Sequence, residues 1–287
     1  MSLGILYVVA TPIGHLGDLS ERAKEVLSQV PMVAAEDTRR TRQLLHHLGC
    51  RPRVVSYHAH SDPGRITMLL GILEDGSDVA LVTDAGTPGI SDPGGELIRS
   101  AREAGARVVP IPGPSAVAAA LSASGMSGDR YLFLGFLPRR GTERRRLLDQ
   151  VGASLWTVIL FEAPPRVLGL FKDLERVIGR DRRVVVAREL TKLHEEIRAD
   201  TLGGHLAYWA ERNLRGEFTL VIAGGTGPEA AVGQTAAEVT DLRAAVRRML
   251  DKGLSTKEAT ARVTTECGIP RNEAYRLVME CRKHLSS

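Results

Sequence analysis

A chain of 287 residues that is 43% hydrophobic carries enough apolar material for two packed domains and a small appendage. Its formal charge of +4 permits an acidic partner without demanding one, and its three cysteines, Cys50, Cys267 and Cys281, stand far apart with no CxxC pair. That usage excludes a disulfide scaffold and a thiolate zinc site, and no run approaches the roughly 18–20 apolar residues of a membrane span, so a soluble, cytoplasmic protein without a leader is expected.

The elements alternate from the start. "GILYVVAT" (4–11) reads as a strand and "LSERAKEVLSQV" (19–30) as a helix capped by Asp18. "MVAAED" (32–37) is a second strand before the helix "TRRTRQLLHHLG", and "RVVSYH" a third before "DPGRITMLLGILEDG". "DVALVTD" is a fourth strand, followed by a Gly/Pro-rich loop and the helix "GGELIRSAREAG"; "ARVVPI" is a fifth, leading into "PGPSAVAAALSASG". Short β-branched runs separated by helices of this length predict a parallel sheet covered on both faces.

After the small-residue break "SASGMSGDR" the pattern resumes with strands in "RYLFLGFLP", "WTVILFEAP", "RRVVVAREL" and "EFTLVIAGG". The helices between them are expected at 142–151, in "RVLGLFKDLERVIG" and near 205–213. We therefore divide the chain into an α/β domain at 1–125, a second α/β domain at 126–225 that completes a cleft, a linker at 226–237 and a helical extension at 238–287. The extension reads as three short helices with apolar positions at Leu242, Val246, Met249, Leu250, Ala259, Val263, Tyr275 and Val278.

Ligands of doubly wound sheets bind beyond the carboxyl ends of the strands, and the notable loops all lie there: "TPIGHLGD", "EDTRRTR", "DAGTPGISDPG", "PGPSA", "GFLPRRG", "FEAPPR" and "RELTKLHEE". Neither GxxxxGK[ST] nor GxGxxG is present. Prolines fix the loop backbone and remove amide donors, so these loops suit rigid walls around a flat, uncharged ligand such as an adenosine better than a phosphate nest. Asp84 can accept from a ribose hydroxyl or an amino group, or face a cationic centre.

"YVVATPIGHLGDLSERAKEVL", "AAEDTRRTRQLL", "LVTDAGTPGISDPG", "PIPGPSAVAAALSASG", "FLGFLPR", "FEAPPR" and "RELTKLHEE" together resemble the ribosomal RNA small-subunit methyltransferase I family, of the tetrapyrrole-methylase class. The likeness runs from about Leu3 to Gly225, and the tail resembles that family's helix-turn-helix-like extension. It implies a two-domain α/β fold with a parallel-sheet first domain and a mixed-sheet second domain, a homodimer, and S-adenosyl-L-methionine bound between domains. Carried over by motif, Pro12, Gly86, Thr87, Pro88 and Ile90 line the cofactor pocket, with Asp84 at its edge. Ser115 and Ala116 approach the methionine part, and Phe161, Leu190 and Thr219 come from the second domain. The implied reaction is 2′-O-methylation of a cytidine in the decoding region of small-subunit ribosomal RNA, free or in the 30S particle, with no metal and no membrane.

A ribose hydroxyl is a very weak acid, so a base or a cationic neighbour should help expose its lone pair. Glu36, Asp37, Glu162, Glu189 and Lys192 are the candidates, each of which an adjacent ion pair would equally explain. Arg39, Arg40 and Arg42 crowd the positive end of a helix, where a phosphate backbone would offset their mutual cost. Arg139, Arg140, Arg144, Arg145 and Arg146, with Arg166, are further RNA-binding candidates beside the cleft; a solvated face is the competing reading. The tail has ten Lys/Arg against seven Asp/Glu, so RNA and protein contact both remain open for it. His46, His47, His58 and His60 form no complete ligand set. Two other functions fit the scaffold: methylation of a tetrapyrrole or corrinoid precursor, and a non-catalytic ribosome assembly factor.

Overall fold

The computed structural model describes residues 2–59, 61–225, 246–247, 249–250, 254–267 and 271–283. The expected linker at 226–237 and the first residues of the extension, 238–245, lie outside the described residues.

The first half is built from β1 (Ile5–Val9), α1 (Glu21–Gln29), β2 (Met32–Ala35), α2 (Thr38–His47), β3 (Arg53–Ser56), α3 (Pro63–Glu74), β4 (Val79–Val82), α4 (Gly95–Glu103) and β5 (Arg107–Ile111). Its strands form one parallel sheet in the order β3-β2-β4-β1-β5. Every residue of β2 and β4 is buried, as a strand covered on both faces requires. Ala23, Leu27 and Leu45 of α1 and α2 pack on Val9, Val33 and Val82 on one face. Leu69, Leu73, Leu97 and Ala101 of α3 and α4 cover Leu6, Ala34 and Leu81 on the other. The cap of α1 is Ser20, whose hydroxyl accepts from the Ala23 amide, and not Asp18, which sits in a preceding 3-10 turn.

The second half follows with α5 (Ala116–Ser124), β6 (Tyr131–Phe136), α6 (Thr142–Ala153), β7 (Thr157–Glu162), α7 (Val167–Ile178), β8 (Arg183–Arg188), β9 (Glu196–Thr201), α8 (Leu202–Ala210) and β10 (Phe218–Ile222). The sheet order is β6-β7-β10-β8-β9, with β10 antiparallel to both β7 and β8. β6, β7 and β8 therefore share one direction, and the start of β10 joins their carboxyl ends at the same edge. Leu148, Phe171 and Trp209 of α6, α7 and α8 pack on one face of this sheet. The other face is covered by α5, through Val117 and Ala120 against Ile159, Val185 and Val221. β9 is an edge strand that the sequence reading did not anticipate.

In the extension, α9 (Thr256–Cys267) and α10 (Arg271–Lys283) close around Val246, Ala259, Val263, Ala274, Val278 and Cys281. Ala274 takes the core position expected of Tyr275, which is exposed. No helix among the described residues is long and apolar enough to cross a membrane.

Candidate functional site

The loop after β4 is the hub of the first half. The backbones of Thr11 and Gly86 exchange two hydrogen bonds, 2.9 and 3.0 Å, which zip the loop after β1 to it. The Asp84 carboxylate accepts from the Asp37 amide at 2.9 Å, and the Asp84 amide donates to Glu36 at 3.3 Å, so the loop after β2 is tied in as well. The Thr87 hydroxyl donates to the Pro114 carbonyl at 3.2 Å and adds the loop after β5. Three loops distant in sequence are thus held around residues 84–87.

Across from this hub stands the second half. The bulge of β6 at Gly135, φ +60°, brings backbone so close to the Ser91 hydroxyl that a Cβ there would lie 2.6 Å from it. On the opposite side the His15 amide donates to Thr191 at 3.0 Å. Between these two contacts lies a cavity of about 260 Å³, just below the usual small-molecule range of roughly 300–1,000 Å³ and open on one side. The register explains part of its wall: Phe218 and Thr219 on β10 pair with Glu162 and Phe161 on β7, so all four reach it together.

Of the residues that the sequence points to for a cofactor, Gly86, Thr87, Ile90, Ser115, Ala116, Phe161, Leu190 and Thr219 line this cavity. Pro12, Pro88 and Asp84 do not. Ile13 takes the position beside Pro12, Pro88 packs against Gly94, and Asp84 is spent on tying loops, with Arg40 3.5 Å away. Phe136 stacks obliquely on Phe161, centroids 5.5 Å apart, and is half exposed over the mouth. The N-terminus of α5 has no side-chain cap, so its first amides, at Ser115 to Val117 on the cavity wall, are available to a ligand.

The charge of the lining is one-sided. Asp92, Glu162 and Glu217 reach the cavity, and among the described residues no Lys or Arg does. Burial, then the charges of Glu36 and Asp84, push the Asp92 carboxyl up to about 6. The Thr83 hydroxyl lies beside Asp92 and lowers it, yet makes no hydrogen bond of good geometry. Glu162 is buried, also raised by desolvation, and its Oε1 is held by Arg166 at 3.0 Å and by the Ala163 amide at 2.9 Å; its Oε2 has no partner.

The remaining candidate bases are committed elsewhere. Asp37 caps α2, and its hydrogen bond with the Arg39 side chain holds its carboxyl at about 2. Glu189 binds Lys192 at 2.8 Å and the Glu217 amide at 3.0 Å, and the lysine holds it below the usual carboxylate range. Lys192 also reaches Glu217 at 3.2 Å. Glu36, Asp37, Glu189 and Lys192 do not line the cavity. Among the described residues, three non-glycine residues have left-handed backbone: Ser91 on the cavity wall, and Glu189 and Thr191, which flank Leu190 of that wall.

Residues 5–204 match the tetrapyrrole (corrin/porphyrin) methylases. Over 97% of this chain and 98% of the relative it is 45% identical to the ribosomal RNA small subunit methyltransferase I of Synechocystis sp., and 43% identical to that of Xylella fastidiosa over 95% and 98%. The chain belongs to the ribosomal RNA small subunit methyltransferase I family. Among solved structures, the uroporphyrin-III C-methyltransferase of Thermus thermophilus complexed with S-adenosyl homocysteine matches at 18% identity and a TM-score of 0.57, over 77% of this chain and 97% of that one. At that distance the likeness speaks for the fold. The family is one of S-adenosylmethionine-dependent methyltransferases, and the cavity offers the opening amides of α5, an aromatic wall and three carboxylates.

The arginines singled out in this family member fall into three groups. Arg144 is largely buried, bound to Asp173 at 2.8 Å and to the Pro138 carbonyl at 2.9 Å, and Arg166 joins Glu162 to the Leu137 carbonyl, so both hold the fold. Arg39, Arg42 and Arg146 bind Asp37, Thr38 and Glu143 on their own helices. Arg139, Arg140 and Arg145 are exposed without an ion pair among the described residues, just beyond Phe136.

Proposed function

We propose that the protein transfers the methyl group of S-adenosylmethionine to the 2′-hydroxyl of a cytidine ribose in the decoding region of small-subunit ribosomal RNA, in the cytoplasm and as a homodimer. The observation that carries this reading is the cavity lined by three carboxylates and, among the described residues, no basic side chain, with the exposed Arg139 and Arg140 following closely in sequence on Phe136 of its wall. A sulfonium donor is cationic and lacks phosphate, whereas an RNA acceptor brings many. The two charge patterns lie where each partner would sit.

The residues divide the work accordingly. The amides opening α5 take the donor's carboxylate, the backbone at Gly86 and Thr87 borders its nucleoside, and Phe136 with Phe161 provides a flat apolar face. The bound donor supplies an electrophilic methyl carbon. The protein's main contribution is alignment of the acceptor oxygen with it, which in favourable geometries is worth about 7–11 kcal/mol of barrier. Only Leu137 and Pro138 separate Phe136 on the cavity wall from Arg139, so RNA held by the exposed arginines would lie near the cavity mouth.

Incubation with methyl-labelled S-adenosylmethionine and, in parallel, naked small-subunit RNA, 30S particles and uroporphyrinogen tests this reading. Label is expected at one cytidine ribose in the RNA or the 30S particle. Label only in the tetrapyrrole, or in none, would overturn it.

A further inference from the structure

The second half meets the cavity with two unlike lips. One is Phe136 at the carboxyl end of β6; the other is the turn 189–195 that carries β8 into β9, with its Leu190 on the cavity wall. β7 and β10 lie between β6 and β8 in the sheet, so the lips stand three strand spacings apart, about 14 Å. Phe161, Glu162, Phe218 and Thr219 line the cavity between them.

The turn is tied in place from several directions. The Glu189 amide donates to the Glu217 carbonyl at 3.0 Å, the Lys192 amide to the Glu189 carbonyl at 3.0 Å and the Glu195 amide to the Lys192 carbonyl at 3.1 Å. The Glu195 carboxylate accepts from the Thr191 amide at 2.7 Å, and the Thr191 hydroxyl accepts from the His15 amide of the first half. Glu189 and Thr191 carry φ of +53° and +64°, a backbone cost that only an over-determined turn sustains. What this framework displays is Leu193, 94% exposed and the most exposed large apolar side chain among the described residues. Isolated surface leucines are ordinary. One raised on a strained, cross-tied turn at the rim of a ligand cavity is not.

We propose that Leu193 is a wedge that enters the base stack of the RNA beside the target nucleotide, so that the ribose swings into the cavity mouth between Leu193 and Phe136. This rests on the methyl-transfer reading above. A stacked strand cannot lower one ribose into a cavity, so the stack must open beside the target. An aliphatic side chain fills the opened step without demanding a hydrogen bond, as apolar wedges do in kinked nucleic acids. Charge is not what the turn offers, since Lys192 is spent on Glu189 at 2.8 Å and Glu217 at 3.2 Å. Nor is it an apolar face for a second protein: the sequence neighbours of Leu193 are Lys192, His194 and Glu195, all polar or charged.

A side chain so exposed can be replaced without harm to the fold. Leu193→Ser should melt with the wild type and bind S-adenosylhomocysteine within about threefold of it by calorimetry. Its kcat/KM on 30S particles should fall by about 10- to 100-fold, and Leu193→Phe should restore most of the loss. Particles carrying 2-aminopurine beside the nucleotide that the labelling identifies report unstacking without turnover. With S-adenosylhomocysteine present, the wild type and Leu193→Phe should raise their fluorescence and Leu193→Ser should not. Wild-type kcat/KM in Leu193→Ser, or a fluorescence rise that survives it, would overturn the proposal while the labelling result leaves the function standing. A shift of Leu193→Ser to a smaller species on gel filtration would overturn it too, by making the leucine a contact between copies. So would a loss confined to S-adenosylhomocysteine affinity.

Discussion

Gly86 has φ +81°, and its hypothetical Cβ would lie 3.6 Å from Ile13 and 3.9 Å from the Pro114 carbonyl, where the loops after β1, β4 and β5 converge. A valine there carries two consequences: a backbone penalty of about 1–2 kcal/mol and two methyls in the cavity. Gly125, φ +66° at the end of α5 with open space around it, isolates the first. Gly86→Val should therefore lower the melting temperature about as much as Gly125→Val, but it alone should abolish S-adenosylhomocysteine binding in calorimetry. Equal affinity in both would remove Gly86 from the pocket. At this scale the sequence was most informative where backbone chemistry is local: glycines and prolines marked the loops, and nine flagged residues, Glu162 among them, line one cavity. It could not distinguish Asp84 from Asp92 in the same loop. That difference arises from Glu36 and Asp37, which consume Asp84 and leave Asp92 facing the cavity. Glu217 was invisible for another reason: it precedes an antiparallel strand, so it enters the site from the amino end, where the parallel rule does not look.

The first turns of α6 show how one run of like charge serves two ends. Arg144 is part of the packing, while Arg139, Arg140 and Arg145 face outward. Replacing those three by Ala should weaken binding to small-subunit RNA and reduce the slope of log affinity against log salt by about 2–3, with cofactor affinity unchanged. Arg144→Ala should instead lower stability by about 1–2 kcal/mol in denaturant unfolding, because Asp173 keeps only its exposed partner Arg176. An unaltered salt slope in the triple variant would reduce the exposed arginines to a solvated face. Element type was legible wherever hydrophobic period was strong, as in β2, β4 and α7. β9 was missed because "EIRADT" alternates half-buried and exposed positions along an edge, with a single large apolar residue. The hairpin to β8 gives it its pairing, not its own propensity.

For the whole molecule, alternation of strand and helix predicted the parallel first sheet, and the family resemblance supplied the mixed second one. What neither conveyed is the allegiance of α5, which follows β5 in the chain but packs on β7, β8 and β10. The first sheet's two cores contain none of its residues. Co-expressed pieces split at 113/114 should assemble into a soluble complex on gel filtration. A split at 125/126 should aggregate, since it separates Val117 and Ala120 from the sheet that buries them; soluble assembly from that split would refute the account. The cavity lies across this same junction, with Gly86 on one piece and the opening turn of α5 on the other. Whatever molecule fills it acts as a rivet, so heating should melt the two halves as one unit when the rivet is in place and in sequence when it is withdrawn.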